Sequence, residues 1–437
     1  MPKNLKHFDG LSLKHFGLMV VAAAATALAT TGTSALADPP DENQAVRQLF
    51  TIPVPVAPTN TTGGMYGFDI SFVDSETQTY YLGDRSNAAV DVVDAKTGTF
   101  IKQITASPPF AGATGNNSTS GPNGVAATST CLFAGDGPSR VVSFTLPSGT
   151  QVSSVNTGGS FRADEMAYDP QDSVLLVANN AETIPFATLI KVGSGCQLTV
   201  GTRITYTTAT NGAEQAVWDI ANDRFYQSIP SISGTTSAPG TTGAIFRINP
   251  LTASVEAQFL VDDCMPAGLA LGPKQTFLAG CSVVYDTEFN PWFGSDTDSA
   301  NPLQAIIDIN NGNVTYVQGV GSSDEVWFNP GDNHWYTASQ NSPYSPHPVA
   351  GTTGALSTTD EGAGTLGVID ARSQSLVQLV PTLDVPAVTA KHVSGSSHSV
   401  AANAANNWVF VPIPANNAIF GCLTGCIAVY GRPDHHP

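Results

Sequence analysis

Residues 90–104 read VDVVDAKTGTFIKQI, and this stretch decides the fold. Two β-favouring runs, VDVVD and TFIKQI, flank Ala95-Lys96-Thr97-Gly98. Asp94, Thr97 and Gly98 are of the Asp/Asn, Thr, Gly and Ser types that mark a turn. The unit is therefore a β-hairpin. It recurs at 140–155 (RVVSFTLPSGTQVSSV), 244–260 (AIFRINPLTASVEAQFL), 305–317 (AIIDINNGNVTYV) and 366–379 (LGVIDARSQSLVQL). A weaker copy lies at 187–204 and a truncated one, CIAVY, at 426–430.

Upstream of each copy stands another pair of short runs, such as TYYLGD (79–84), VLLVAN (174–179) and WVFVP (408–412). Seven copies of four short strands specify an all-β, seven-bladed β-propeller. The last copy lacks its fourth strand. Residues 46–52 (VRQLFTI) can supply it, so that an N-terminal strand closes the ring and removes the open edges. The pattern resembles the YVTN/NHL-type propellers and, more loosely, the gluconolactonase, paraoxonase and diisopropyl-fluorophosphatase superfamily. The resemblance spans residues 38–431, is carried by the blade repeat, and implies the fold more strongly than any activity.

Composition agrees with this reading. Charged residues make up only 12% of the 437, against 41 Gly and 30 Pro, which leaves little material for solvated helices or coiled coils. Lys+Arg number 17 and Asp+Glu 35, a net charge of −18 that disfavours nucleic acid as a partner. Lys3, Lys6 and Lys14, an apolar run at 17–29 and Ala35-Leu36-Ala37 read as a signal peptide over 1–37. That run is too short for a membrane span. The expectation is an exported, periplasmic protein with a short tail at 432–437.

Export permits disulfides. Cys264 and Cys281 lie symmetrically about the Gly272-Pro273 turn signal, and Cys422 and Cys426 can close a small loop. That leaves Cys131 with Cys196; zinc is the alternative use of these thiols, without a C-x-x-C pair to support it.

The first strand of each blade lines the channel of a propeller. Aligning these strands on the Asp or Asn that follows them places Asp69, Asp164, Glu214, Asp324 and His398 at one depth, and the patterns NGVAAT and AGLALG of the other two blades add Asn123 and Ala267. Four carboxylates on one axis must take up protons or hold a cation. Their oxygens favour Ca²⁺ before Mg²⁺ or Mn²⁺, and direct ligation by His398 would favour Mn²⁺, Zn²⁺ or Fe²⁺. The expected metal set is Asp69, Asn123, Asp164, Glu214, Asp324 and His398. The resemblance to calcium-dependent propeller hydrolases implies a metal in this channel, held by residues of similar type. Glu165, Gln215 and Glu325, one position on, can brace that set.

Long connections between second and third strands fall on one rim, at 230–243, 282–302 and 339–364. They bring Tyr285, Trp292, Phe293, Tyr344 and His347 as candidate substrate-binding residues. Arg85, Arg140, Arg162, Lys391 and His392 fall on the same rim and could hold a carboxylate. No G-x-S-x-G, H-E-x-x-H or Walker motif is present. The sequence reading is a metal-dependent hydrolase of a small lactone or ester, with His398, Asp324 and Asp164 as the catalytic groups. A metal-dependent lyase or isomerase and a non-catalytic binding propeller are the alternatives.

Overall fold

The computed structural model describes residues 45–292, 298–340, 364–390 and 392–433. The leader expected over 1–37 and the last four residues of the tail lie outside them. The described chain forms seven four-stranded antiparallel sheets. In the first, Ser71–Asp74, Thr79–Asp84, Ala89–Asp94 and Thr99–Ile104 follow one another from the axis outward. The innermost strands of the next five blades are Val125–Ala127, Met166–Asp169, Ala216–Asp219, Cys264–Leu271 and Ser323–Asn329. Blade seven begins with Ala401–Asn403 and ends with Arg47–Pro53 paired antiparallel to Cys426–Gly431. The closing strand anticipated from sequence is therefore present, shifted by one residue. Each innermost strand touches those of its neighbours in order, and the strand of blade seven touches both blade six and blade one. The ring is closed.

The turns form for the reason the sequence suggested. Asp94 Oδ1 accepts the amides of Lys96 and Thr97 at 2.9 and 3.0 Å. Asp74, Asp169, Asp219, Asn249, Asp308 and Asp370 each accept an amide two residues on. An Asx turn thus ends strand after strand with its own side chain. Gly98 follows with φ +68.

Blades stack face to face through apolar side chains, for example Phe225, Phe246, Leu176 and Tyr206 between blades three and four. Near the axis the backbones come closer than side chains allow. A Cβ on Gly124 would lie 2.1 Å from the Asp164 carbonyl oxygen. Glycine there sets how near the innermost strands of blades two and three can approach. All three expected disulfides form: Cys131–Cys196, Cys264–Cys281 and Cys422–Cys426. They tie residues in blades two and three, within blade five and within blade seven, and they point to an oxidising, exported setting. No helix among the described residues is long and apolar enough to cross a membrane.

Candidate functional site at the upper channel mouth

The polar ring is at one height. The amides of Asp69, Asn123, Asp164 and Glu214 donate to Gly83, Gly135, Ala178 and Ser228, each on the second strand of its own blade, at 2.8–2.9 Å. The return bonds run from those four residues to Ile70, Gly124, Glu165 and Gln215. Equal ladder positions put the four side chains at equal depth, and Asp324 and His398 line the same cavity from blades six and seven. Ala267 leaves the blade-five position without a polar group.

Two arginines enter this ring, and that changes its electrostatics. Arg85 was expected on the rim. Its guanidinium instead reaches down to form an ion pair with Asp69, donates from Nε to Asn123 Oδ1 at 2.8 Å and from NH1 to Asn117 Oδ1 at 2.5 Å. Arg162 Nε donates to Asp164 Oδ2 at 2.7 Å. Burial opposes charge on Asp69, but Arg85, with smaller help from His398, holds its carboxyl well below the usual range. Burial dominates at Asp164 and pushes it up to about 7 in spite of Arg162. Glu214 is pushed up to about 8, first by burial and then by the charge of Asp164; burial also raises Asp324.

His398 stacks flat on Phe68, with ring centroids 4.9 Å apart and 3° between planes. Its Nδ1 is 2.7 Å from the Ser396 carbonyl oxygen, an acceptor that requires the proton on Nδ1. Nε2 faces Asp69 Oδ1 at 3.7 Å. Burial disfavours the imidazolium, yet Asp69 and Asp324 outweigh it and raise the pKa of His398.

These groups surround a cavity of about 380 Å³ that also includes Tyr66, Phe68, Asn117, Gln340 and Glu165 in its wall. The other candidate residues distribute unevenly. Arg140 binds Asp136 and the carbonyl oxygens of Pro108 and Pro109 at 2.8 Å, so it fastens the blade-two loop away from the cavity. Trp292 is 4% exposed and packs in the apolar cluster around blade five, where burial of the indole claims it. Tyr285 turns its hydroxyl toward Met265 Sδ at 3.6 Å and does not line the cavity. His392 stacks on Tyr66 at 3.4 Å and lines a separate recess with Thr61 and Val388. Phe293, Tyr344, His347 and Lys391 lie outside the described residues.

Three contributors were missed. Gln340 Nε2 donates to Asp324 Oδ2 at 3.0 Å, Asn180 Nδ2 to the Glu214 carboxylate at 3.2 and 3.3 Å, and Asn117 to none of these but accepts from Arg85. Arg85, Asn180 and Gln340 each directly follow a second strand, Thr79–Asp84, Val174–Asn179 and His334–Ser339. Aligning second strands as well as first strands would have found Asn180 and Gln340, whereas Asn117 lies in the turn Asn117–Thr119 ahead of blade two and carries no such signal.

The expected metal set was tested on its donor atoms. Asn123 Oδ1 accepts from Arg85 and its Nδ2 donates to the carbonyl oxygens of Ser120 and Ala163 at 3.0 and 3.1 Å, so the amide is already engaged. No three carboxylate or imidazole donors of the ring lie within 4.8 Å of one another. The one such group among the described residues is Asp169, Asp172 and Asp223, in strand-connecting turns away from this cavity. Two of the ring carboxylates are paired to arginine, and the ring as arranged offers no three-donor group of this kind.

No family model and no curated protein matches the chain. Solved structures do. The Neurospora crassa Pan2 WD40 domain superposes with a TM-score of 0.57 at 11% identity, covering 90% of this chain and 97% of that one. Kuenenia stuttgartiensis hydrazine synthase gives 0.58 at 11% identity over 86% and 97%. The WD40 β-propeller domain of Doa1 gives 0.54 at 11% identity over 90% and 99%. At such identities the likeness is one of fold alone: this chain is a seven-bladed β-propeller.

Proposed function

We propose that the upper mouth binds a small, oxygen-rich molecule and that the chemistry it suits best is metal-independent hydrolysis of a lactone or ester. The observation that carries the reading is the convergence of fixed groups of both signs on one 380 Å³ cavity. Arg162 uses Nε and NH1 on protein acceptors, and among the described residues no acceptor is found for its NH2. That donor could steady negative charge developing on a carbonyl oxygen. His398, fixed by Ser396 and Phe68, offers Nε2 to an attacking water, and Asp69 would stabilise the resulting imidazolium. Because its pKa is raised, activity as a base should appear on the alkaline side of the ordinary histidine range.

The test is a panel of lactones and esters assayed with the purified protein. His398→Asn and Arg162→Met should each lower kcat/KM by about 10² to 10³-fold with the β-sheet circular dichroism retained. Binding without turnover by any of the panel would reduce the protein to a ligand carrier.

A second reading keeps a divalent cation, Ca²⁺ before Mg²⁺, Mn²⁺, Zn²⁺ or Fe²⁺, and a hydrolase or a lyase/isomerase reaction. It is favoured by one feature: Asp164 Oδ1 is buried without a hydrogen-bond partner, near enough to Glu214 for the two carboxylates to repel. Elemental analysis and chelation separate the readings, since loss of turnover on chelation supports the cation and full activity in metal-free protein removes it. A new double bond in the product would identify the lyase.

A further inference from the structure

The channel has a second chamber. A cavity of about 850 Å³ opens at the opposite mouth and meets the upper one at Ile70 and Glu165, which line both. Its wall follows from the strand period. Three residues beyond the polar ring, the six blades that line it present Phe72, Ala126, Ala167, Val217, Ala270 and Trp327. All are apolar, and four are small. The two large ones, from blades one and six, meet edge to face with centroids 5.6 Å apart. Tyr168, Trp218 and Phe328 stand around the same mouth.

Charge is equally one-sided. The lining holds Glu165 at its deep end and Asp74 and Glu76 toward its outer end, with no lysine, arginine or histidine. Glu165 is 5% exposed, and among the described residues its carboxyl oxygens make no hydrogen bond. Burial, and then the nearby carboxylates of Glu325 and Asp164, push its pKa well above the usual range, so the group rests protonated and would ionise beside a bound cation.

The geometry points to a second binding site, in this lower chamber, for an organic cation: an alkylated or aromatic amine whose nitrogen lies against Glu165 and the aromatic faces of Phe72 and Trp327. Aromatic faces attract cations, most strongly where water is excluded. An acidic chain concentrates cations at such a mouth. The volume suits a drug-sized molecule. An anion of similar shape would meet only carboxylates.

The experiment titrates the full protein with benzyltrimethylammonium and, separately, with phenylacetate, followed by calorimetry and tryptophan fluorescence. The expected result is saturable binding of the cation with a change in fluorescence and no binding of the anion. Glu165→Gln, which preserves shape, should weaken the cation at least tenfold, and Ala167→Phe should block it by filling the chamber. Absence of binding by the wild-type protein overturns the proposal. So does equal binding of phenylacetate, or undiminished affinity in Glu165→Gln. Should a variant fail to fold, the wild-type contrast between cation and anion decides alone.

Discussion

The two mouths of the channel are built by the same ring of blades, from residues three apart in sequence, and they are opposites. The upper one gathers Arg85, Arg162, Asp69, Asp164, Glu214, Asp324 and His398. The lower one replaces them with alanine, valine and aromatic rings. Because side chains on a strand alternate in period two, positions three apart would lie on opposite faces of a flat strand. Here both sets border the bore, and the upper set lies just before the innermost strands, which begin at Ser71, Val125, Met166 and Ala216 in the first four blades. The lesson is that a propeller can give its two ends different linings within one short stretch of each blade, with only Ile70 and Glu165 common to both.

The contrast should be most visible in pH dependence. Asp164 and Glu214 would ionise near 3.8 and 4.5 in an unfolded chain, but remain protonated in the fold until about 7 and about 8. The fold then binds more protons than the unfolded chain across that interval, so its stability is full below about pH 4 and declines as pH rises to about 8. Melting temperature against pH checks this, and Glu214→Gln should flatten the decline. Asp69, held low, contributes in the opposite sense and only in strong acid. If a divalent cation occupies the upper mouth, saturating Ca²⁺ will flatten the slope in the wild type, whereas without such a site it will not.

Next in size is Arg85→Met. It removes the cation from buried Asp69 and strands a charge, which should cost about 3 to 5 kcal/mol in urea denaturation. Asp69→Asn in the same background should recover part of the loss. The lower mouth contains no such pair, so Trp327→Ala there should cost less, about 2 to 3 kcal/mol, through lost packing alone. It should leave kcat/KM at the upper mouth unchanged. A drop in turnover would mean that the two chambers do not act independently.

The architecture was legible because its signals repeat. Asp94, Asp169, Asp219 and Asp370 each mark a turn, and the same register then carries Asp69, Asp164 and Glu214 to one height. The cysteine pairs were legible because a turn lies midway between Cys264 and Cys281. The ring's ion pairs were not. Arg85 occupies a connection, where exposure is the usual fate of a charge, and only its long stem carries the guanidinium down into the bore. Trp292 misled in the other direction: a loop aromatic looks like a ligand contact, but the apolar cluster beside blade five buries it. The lower collar was invisible because alanine, valine and tryptophan on an inner strand read as ordinary core.

The join between Arg47–Pro53 and Cys426–Gly431 couples the two ends of the described chain in a single sheet. The first strand of the described residues must wait for the last before it finds its neighbour. Until then blade seven offers a bare row of amides and carbonyls, a template on which other copies could polymerise. Such a chain would thus be most vulnerable to clumping late, after six blades have formed, and trimming of the final dozen residues should make it sticky rather than merely inactive.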